Sequence, residues 1–369
     1  MERGGAELRT LDVIRNIERD RFQFNFCAVY GRPGSLDDEI RSLGGEVHLV
    51  PLGVSFPWAF CRLLRKGRYQ IVHSHVHLFS GFILRLAAQE GVPVRIAHFR
   101  SMHDGQRDNL RRLVQRRLMR YWIGRYATDI LAVAEGAMAC AWRPDWQSDP
   151  RCRVVYSGLD LSGFPESRDP QGVREEFRLP PDCRLLIHVG RMSEAKNHPR
   201  LVAVFADLSR LDPSARLLLV GRDANEIGRR VRTQVTEAGL AGRVAFAGER
   251  DDVPRLLAAA DLMLFPSVRE GLPGAVLESC AVGTPVLASD LPGIQEVAAR
   301  LPNVHCLALA SPDSEWADAA CGLLAQGGPA KDRRHARQAF ADSVFTVQRS
   351  AQTHREIWEK AAGMGSADR

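Results

Sequence analysis

The chain has 369 residues, 45% of them hydrophobic and 25% charged, with a formal net charge of +6. That length allows two domains of ordinary size, and the composition excludes a long disordered polymer, a fibrous repeat or a peptide too short to bury a core. Of the 50 basic residues only Lys66, Lys196, Lys331 and Lys360 are lysine, and the cationic balance admits nucleic acid, anionic lipid or a phosphorylated small molecule as partner without choosing among them.

Short apolar runs alternate with amphipathic stretches, the pattern of βαβ units that build a parallel sheet. In the first half strands are predicted at 24–30, 46–50, 70–74, 94–98 and 130–133, with helices at 80–89 and 107–124. From 156 to 183 the chain is rich in Pro and Gly, which suits an interdomain connection carrying one helix near 172–178. The rhythm then restarts. Strands are predicted at 185–189, 215–220, 244–247, 262–265, 285–288 and 305–309, and helices begin near Pro199, Asn225, Val253, Pro273 and Gly293. A last helix at 347–362 is expected to pack back onto the first half. The expected organisation is an N-terminal domain over 1–165 and a C-terminal domain over 166–346, each an α/β doubly wound parallel sheet. Ligands bind such sheets at the carboxyl ends of the strands, and two facing sheets place the natural site in the cleft between them.

The eight cysteines include no C-x-x-C pair and are irregularly spaced, which points to free thiols in a reducing compartment. MERGGAELRT lacks the apolar core of a signal peptide. The longest run without Asp, Glu, Lys or Arg spans 16 residues, 69–84, and contains three histidines. A membrane-crossing helix needs about 20 mainly apolar residues, so a cytoplasmic protein is expected.

Two local patterns carry chemistry. Glu270-Gly-Leu-Pro-Gly-Ala-Val-Leu-Glu278 follows the strand LMLFPS directly. Pro273 suits the first turn of a helix, which would put Glu270 in the preceding loop and Glu278 about two turns inside. N–H groups around Gly271 and Leu272 would then be free for a phosphate, and two acceptor-only carboxylates suit sugar hydroxyls. The plainer reading is that Glu270 complements the helix dipole and Glu278 is solvated. The second pattern, His188-Val-Gly-Arg191-Met-Ser-Glu-Ala-Lys196-Asn197, ends the first strand of the second half. An arginine and a lysine beside a glycine turn make a diphosphate clamp by charge-assisted hydrogen bonds, or simply a cationic surface loop.

Taken together, the Gly-Arg…Lys loop, Val220-Gly221, AADLMLFPS-x-x-EGLPxxxLE and GTPVLAS resemble glycosyltransferase family 4, retaining enzymes of the GT-B fold. Arg3-Gly-Gly-Ala-Glu7, IVHSHVH and VRIAHFRS extend the resemblance to the first half, in detail to the branch that builds bacterial exopolysaccharide and capsule. The resemblance implies roles residue by residue. Arg191 and Lys196 match the pair that neutralises the donor diphosphate, Glu278 the carboxylate on the nucleotide ribose, and Glu270 the one on the transferred sugar. His98, at a strand end facing the cleft, matches a histidine beside the reacting sugar, and Gly4 and Gly5 the loop approaching phosphate or acceptor. It implies a nucleotide-diphosphate sugar as donor, UDP- or GDP-linked, no cofactor and no required metal. The acceptor would be a polysaccharide or a lipid-linked saccharide, with configuration retained and the leaving phosphate as one candidate base. A nucleotide-sugar epimerase of the same architecture and an inactive nucleotide-sugar-binding protein are the alternatives.

His73, His75 and His77 alternate, so on a strand all three would share a face and could share a cation. No carboxylate lies nearby in sequence, and the run matches the family's ordinary strand end, so no metal is expected. Between Arg95 and Arg125 nine arginines and two aspartates give a local charge of nine minus two, +7. Leu110, Leu113, Val114, Leu118, Tyr121 and Trp122 fall on one helical face and Arg111, Arg112, Arg116 and Arg120 on another. Such a helix either faces the core and solvates its basic side, or docks on anionic lipid as a peripheral contact through 107–124. No nucleic-acid-binding motif accompanies the charge.

In a doubly wound domain the glycine loop follows a central strand. Only Met1-Glu2-Arg3 precede Gly4 here, whereas a strand takes roughly 5–6 residues. The expectation is that the first strand of the N-terminal domain is missing, through an upstream segment of about 8–12 residues or an internal gap in the first sheet.

Overall fold

The computed structural model describes residues 5–102, 109–165, 167–325 and 330–361. The chain divides into two compact units, Met1–Asp160 with Val344–Arg369, and Leu161–Ser343. The first division falls slightly before the expected boundary at 165. All eight cysteines are free.

The first unit runs α1 (Gly5–Arg15), β1 (Asn25–Ala28), α2 (Asp37–Ser42), β2 (Glu46–Leu49), α3 (Phe56–Gly67), β3 (Ile71–Ser74), α4 (Ser80–Gln89), β4 (Val94–Phe99), α5 (Leu110–Tyr126), β5 (Asp129–Ala132), α6 (Glu135–Ala141) and β6 (Cys152–Val154). Among the described residues its strands do not form one sheet. β1 and β2 make a parallel pair, and β3-β4-β5-β6 make a separate parallel sheet. Helix α1 spans both. Its Leu11 packs with Leu36 and Ile40 beside Phe26 and Val47, while Val13 and Ile17 pack with Val94, Ile96 and Leu131. One face of one helix therefore holds two sheet fragments, because its apolar residues cover more than a single stripe.

The second unit runs α7 (Pro170–Glu176), β7 (Arg184–Val189), α8 (His198–Leu211), β8 (Ala215–Val220), α9 (Glu226–Glu237), β9 (Val244–Gly248), α10 (Val253–Ala259), β10 (Leu262–Phe265), α11 (Gly274–Ala281), β11 (Val286–Ser289), α12 (Pro292–Ala298), β12 (Val304–Leu307), α13 (Asp313–Ala325) and α14 (Ala330–Ala341). Its six strands form one parallel sheet ordered β12-β11-β10-β7-β8-β9. β7 is central, and the order reverses between β7 and β10, the switch point at which doubly wound sheets bind ligands. Strands buried on both faces read as continuous apolar runs: LLLV within β8 and LMLF in β10 are fully buried. Leu201, Phe205 and Leu208 of α8 pack with Trp316 and Ala320 of α13 on one face of the sheet.

The last helix, α15 (Val347–Ala361), belongs to the first unit, where Ile357 and Trp358 join the cluster around Val13 and Ile17. Among the described residues no helix is long and apolar enough to cross a membrane.

Two expectations are corrected here. Strand β3 ends at Ser74, and His77 adopts a left-handed φ of 51° at the start of a 3-10 turn, His77–Phe79. The alternation therefore breaks, and the three histidines do not share one strand face. His73 and His75 stack with ring centroids 4.4 Å apart, while His77 leans edge-on against Phe99. Helix α5 also differs from its core-facing alternative. Met119 and Ile123 are its buried residues, and Leu110, Leu113, Val114, Leu118 and Tyr121 are all exposed, Leu110 by 79% and Tyr121 by 65%.

Candidate active site

The loops that leave β7 and β10 meet at the switch point of the second sheet. After β7 the chain passes Gly190, exposed Arg191 and a 3-10 turn, Glu194–Lys196. Gly190 donates to the Val220 carbonyl and Met192 to that of Arg222, while Asn225 Nδ2 reaches the Met192 carbonyl at 2.8 Å. These bonds fix the β7 loop against the end of β8. The approach is close: a Cβ on Gly221, whose φ is 139°, would sit 2.3 Å from the Gly190 carbonyl oxygen. Asn197 then takes a left-handed φ of 53° and donates to the Pro266 carbonyl, and Val268 N–H donates to Ala195. The β7 and β10 loops are thereby tied together.

That tie brings two of the sequence candidates into contact. Lys196 Nζ donates to Glu270 Oε1 at 2.8 Å and lies 4.4 Å from the centre of the Phe265 ring. Their side chains are 20% and 11% exposed, so the pair is mostly sheltered. A ring face attracts an ammonium group, and Phe265 at the end of β10 holds the lysine from below. Sequence reasoning did not single out Phe265. Its position as the last residue of the strand before PS-x-x-E was the available signal.

Helix α11 begins at Gly274, one residue later than expected, with Pro273 as an extended cap residue. Glu278 is consequently just over one turn inside the helix, not two. The N–H groups of Gly271 and Leu272 have no acceptor among the described residues. They are backed by α12, where a Cβ on Gly293 would fall 1.6 Å from the Gly271 carbonyl oxygen. Gly293 is thus a second site residue that the motif reading passed over as a mere helix start. The structure joins Lys196 to Glu270 and sets Gly271 and Leu272 beside them in sequence. It leaves Arg191 exposed on the neighbouring loop, with no hydrogen bond or ion pair to that group.

Three candidates belong to the first unit. Gly4 lies outside the described residues, and Gly5 is the first residue of α1 rather than part of a loop. His98, on β4, is buried rather than set at an open strand end. Its Nδ1 lies 3.0 Å from His73 Nε2, and its ring packs 5.1 Å from His75 and 5.8 Å from His354. Burial, and then the nearby Arg100, push its pKa well below the ordinary histidine range, so the ring is neutral. Nitrogens of His73, His98 and His354 lie within 4.8 Å of one another, a spacing that could hold a metal ion. The hydrogen bond between His73 and His98 and the cationic Arg100 beside them fit a stack of neutral rings instead.

Residues 183–326 match the family profile of glycosyl transferases group 1, and residues 4–158 match the glycosyl transferase 4-like domain. EpsF of Bacillus subtilis (strain 168), named as a glycosyltransferase, is 32% identical over 361 residues, covering 95% of this chain and 92% of its own. The chain belongs to the group 1 glycosyltransferases. This glycosyltransferase also shares 29% identity with CapH of Staphylococcus aureus, a capsular polysaccharide biosynthesis glycosyltransferase, over 97% of the chain and 96% of CapH. HepE of Anabaena, solved in complex with UDP, matches with a TM-score of 0.80 at 20% identity, covering 97% of this chain and 96% of HepE. The fold of the glycosyltransferase is accordingly GT-B, built from two parallel-sheet α/β domains, and the enzyme is a transferase.

Proposed function

We propose that this glycosyltransferase moves a hexose from a UDP- or GDP-linked donor to a polysaccharide or lipid-linked acceptor of exopolysaccharide or capsule synthesis, retaining anomeric configuration. The observation that carries the reading is the Lys196–Glu270 pair, seated on Phe265 beside the unengaged N–H groups of Gly271 and Leu272. A cation and free backbone donors suit the diphosphate, and a carboxylate suits the hydroxyls of the sugar attached to it. Arg191 adds a second cation, Glu278 takes the ribose, His98 stands beside the reacting sugar, and the Gly4–Gly5 segment approaches the phosphate or acceptor.

The chemistry follows from charge. As an acceptor oxygen bonds the anomeric carbon, the bond from that carbon to the β-phosphate oxygen breaks and the electron pair leaves with the diphosphate. Fixed cations and N–H groups stabilise that growing charge, usually the largest catalytic contribution. The acceptor proton passes to an oxygen of the leaving phosphate, so the reading needs no protein nucleophile and no metal. CapH and HepE support the reading through the pathway named for the first and the UDP bound to the second.

The glycosyltransferase works at the cytoplasmic face of the membrane, where α5 supplies a peripheral contact. Leu110, Val114, Leu118 and Tyr121 recur at helical spacing on its exposed side, interleaved with Arg111, Arg117 and Arg125. Long basic side chains bury their stems beside apolar neighbours and keep their charge at the headgroups.

The test is a donor panel with ligand-induced melting, followed by transfer assays with and without a membrane lipid extract. Binding of one nucleotide sugar and release of its diphosphate only with acceptor supports transfer. Acceptor-free conversion of the donor would establish the epimerase instead, and binding without turnover under every acceptor would establish a binding protein. Proton coupling at the anomeric carbon of the product reads retention directly.

A further inference from the structure

Two buried histidines of the second unit lie close to Lys196, and the transfer chemistry does not use them. His188 belongs to β7 and His198 opens α8. Their rings meet edge to face with centroids 4.6 Å apart. Between them in sequence runs the loop that carries Arg191 and Lys196.

Each ring donates to the backbone. The β7–β10 register pairs Leu186 with Leu262 and Ile187 with Met263, and further along Gly190 N–H turns to Val220 on β8. The Leu264 carbonyl accepts from His188, whose Nδ1 is 2.8 Å away. A carbonyl only accepts, so Nδ1 carries the proton. Burial pushes the His188 pKa well below the ordinary histidine range, which leaves Nε2 a bare lone pair. His198 is held at about 4 by burial and then by Lys196, against a hydrogen bond to the Gly190 backbone that raises it. A bond that raises a histidine pKa is one the ring donates. His198 Nδ1 has no partner among the described residues, so Nε2 is the donor.

Both bonds lead to Lys196. Its stem lies along Gly190, where an added Cβ would meet Lys196 Cε at 3.0 Å, so His198 sets the stem through Gly190. Its ammonium sits 4.4 Å from the centre of the Phe265 ring, and that ring stacks on His188 at 5.5 Å and 23°. Leucine or phenylalanine would fill the same space without leaving His188 Nε2 and His198 Nδ1 buried and unpartnered. What imidazole adds is the N–H donor. We propose that His188 and His198 are positioning residues of the transfer reaction, two rings that clasp the base of the 190–197 loop to the end of β10 and hold the Lys196 ammonium over Phe265. The inference rests on the diphosphate role of Lys196. Neither histidine touches the donor, and each acts through the lysine.

Nitrogen NMR of the full chain with labelled histidines gives the first reading at pH 7. His188 should be neutral with its proton on Nδ1 and His198 neutral with its proton on Nε2, the signals being assigned by their loss in His188→Asn and His198→Gln. A charged ring or the opposite tautomer at either position overturns the proposal. Kinetics give the second. His188→Leu and His198→Leu should each lower kcat about 10- to 100-fold, the cost of displacing a catalytic group by about an ångström. His188→Asn and His198→Gln keep an N–H near the Nδ1 and Nε2 positions and should stay within about threefold of the parent. The exchanged amides, His188→Gln and His198→Asn, move that N–H off its carbonyl and should lose the rate, which supplies the comparison if the leucine variants fail to fold. In a Lys196→Ala background His198→Leu should cost less than about threefold more, because the group it positions is already gone. Parent-like rates in the leucine or exchanged variants, or losses that multiply fully with that of Lys196→Ala, overturn the clasp and leave the diphosphate role standing. A Lys196→Ala chain with the parent kcat removes the diphosphate role itself, and the clasp with it.

Discussion

Replacing Lys196 by alanine separates catalysis from stability. The ammonium group is 2.8 Å from Glu270 Oε1 and rests on the Phe265 ring, with both partners mostly sheltered. If Lys196 meets charge that develops on the leaving diphosphate, its loss should lower kcat by about 10²–10³, the usual cost of removing one preorganised electrostatic donor. The substitution also strands a half-buried carboxylate, a penalty of about 1–3 kcal/mol. For a unit spanning Leu161–Ser343, that corresponds to a melting shift of about 2–12 °C at roughly 2–4 °C per kcal/mol. The double variant Lys196→Ala with Glu270→Gln removes the stranded charge. It should regain most of the melting temperature and none of the transfer rate. Diphosphate release under saturating donor and acceptor gives the rates, and thermal melting gives the stabilities. A single variant within about threefold of the parent kcat would refute the diphosphate role. A double variant that regains activity along with stability would reduce Lys196 to a neutraliser of Glu270.

Gly293→Ala should weaken donor binding and cost about 1–3 kcal/mol, because the new Cβ meets the Gly271 carbonyl and pushes the donor loop aside; Gly322→Ala, on α13 with open space around it, should instead raise the melting temperature. Burial holds His198 and His354 at about 4 when folded. The unfolded chain therefore takes up protons first as pH falls below about 6.5, so stability is full above that value and declines down to pH 4. Melting temperatures that stay level from pH 7 to 4.5 would contradict this. Val114→Glu with Leu118→Glu should lower co-sedimentation with vesicles of phosphatidylglycerol by about ten-fold or more while leaving transfer to a soluble acceptor unchanged.

The sheet of the second unit was legible in the sequence almost strand by strand. β8 and β10 fall on their predicted bounds because an apolar run of four to six residues, closed by Gly, Pro or Asp, has little else to become. The pairing of Lys196 with Glu270 was not legible. It depends on two loops 74 residues apart being laced by Asn197 and Val268, and neither bond has a periodicity. Helix α5 misleads in another way. Its apolar stripe looks like a core face, but Met119 and Ile123 seat the helix, with Trp122 packed against Phe82 and Arg85 of α4, while Leu110, Leu113, Val114, Leu118 and Tyr121 stay in solvent. Helix α1 escaped notice because Gly4-Gly5 in the sequence reads as a loop although Gly5 opens the helix, and its apolar residues serve two sheet fragments at once.

Helix α15 has a consequence for how the enzyme is made. Trp358 and Ile357 complete the core around Val13 and Ile17, and Arg355 pairs with Glu18 across 337 positions of chain. The first unit is thus finished by a helix made only after the whole of the second unit. The 183 residues from Leu161 to Ser343, 343 minus 161 plus one, form a contiguous body that can fold in between. At 5–20 residues per second they take roughly 10–40 s to synthesise. For that interval the nascent amino-terminal half lacks its closing helix and leaves the cluster around Val13 and Ile17 incomplete.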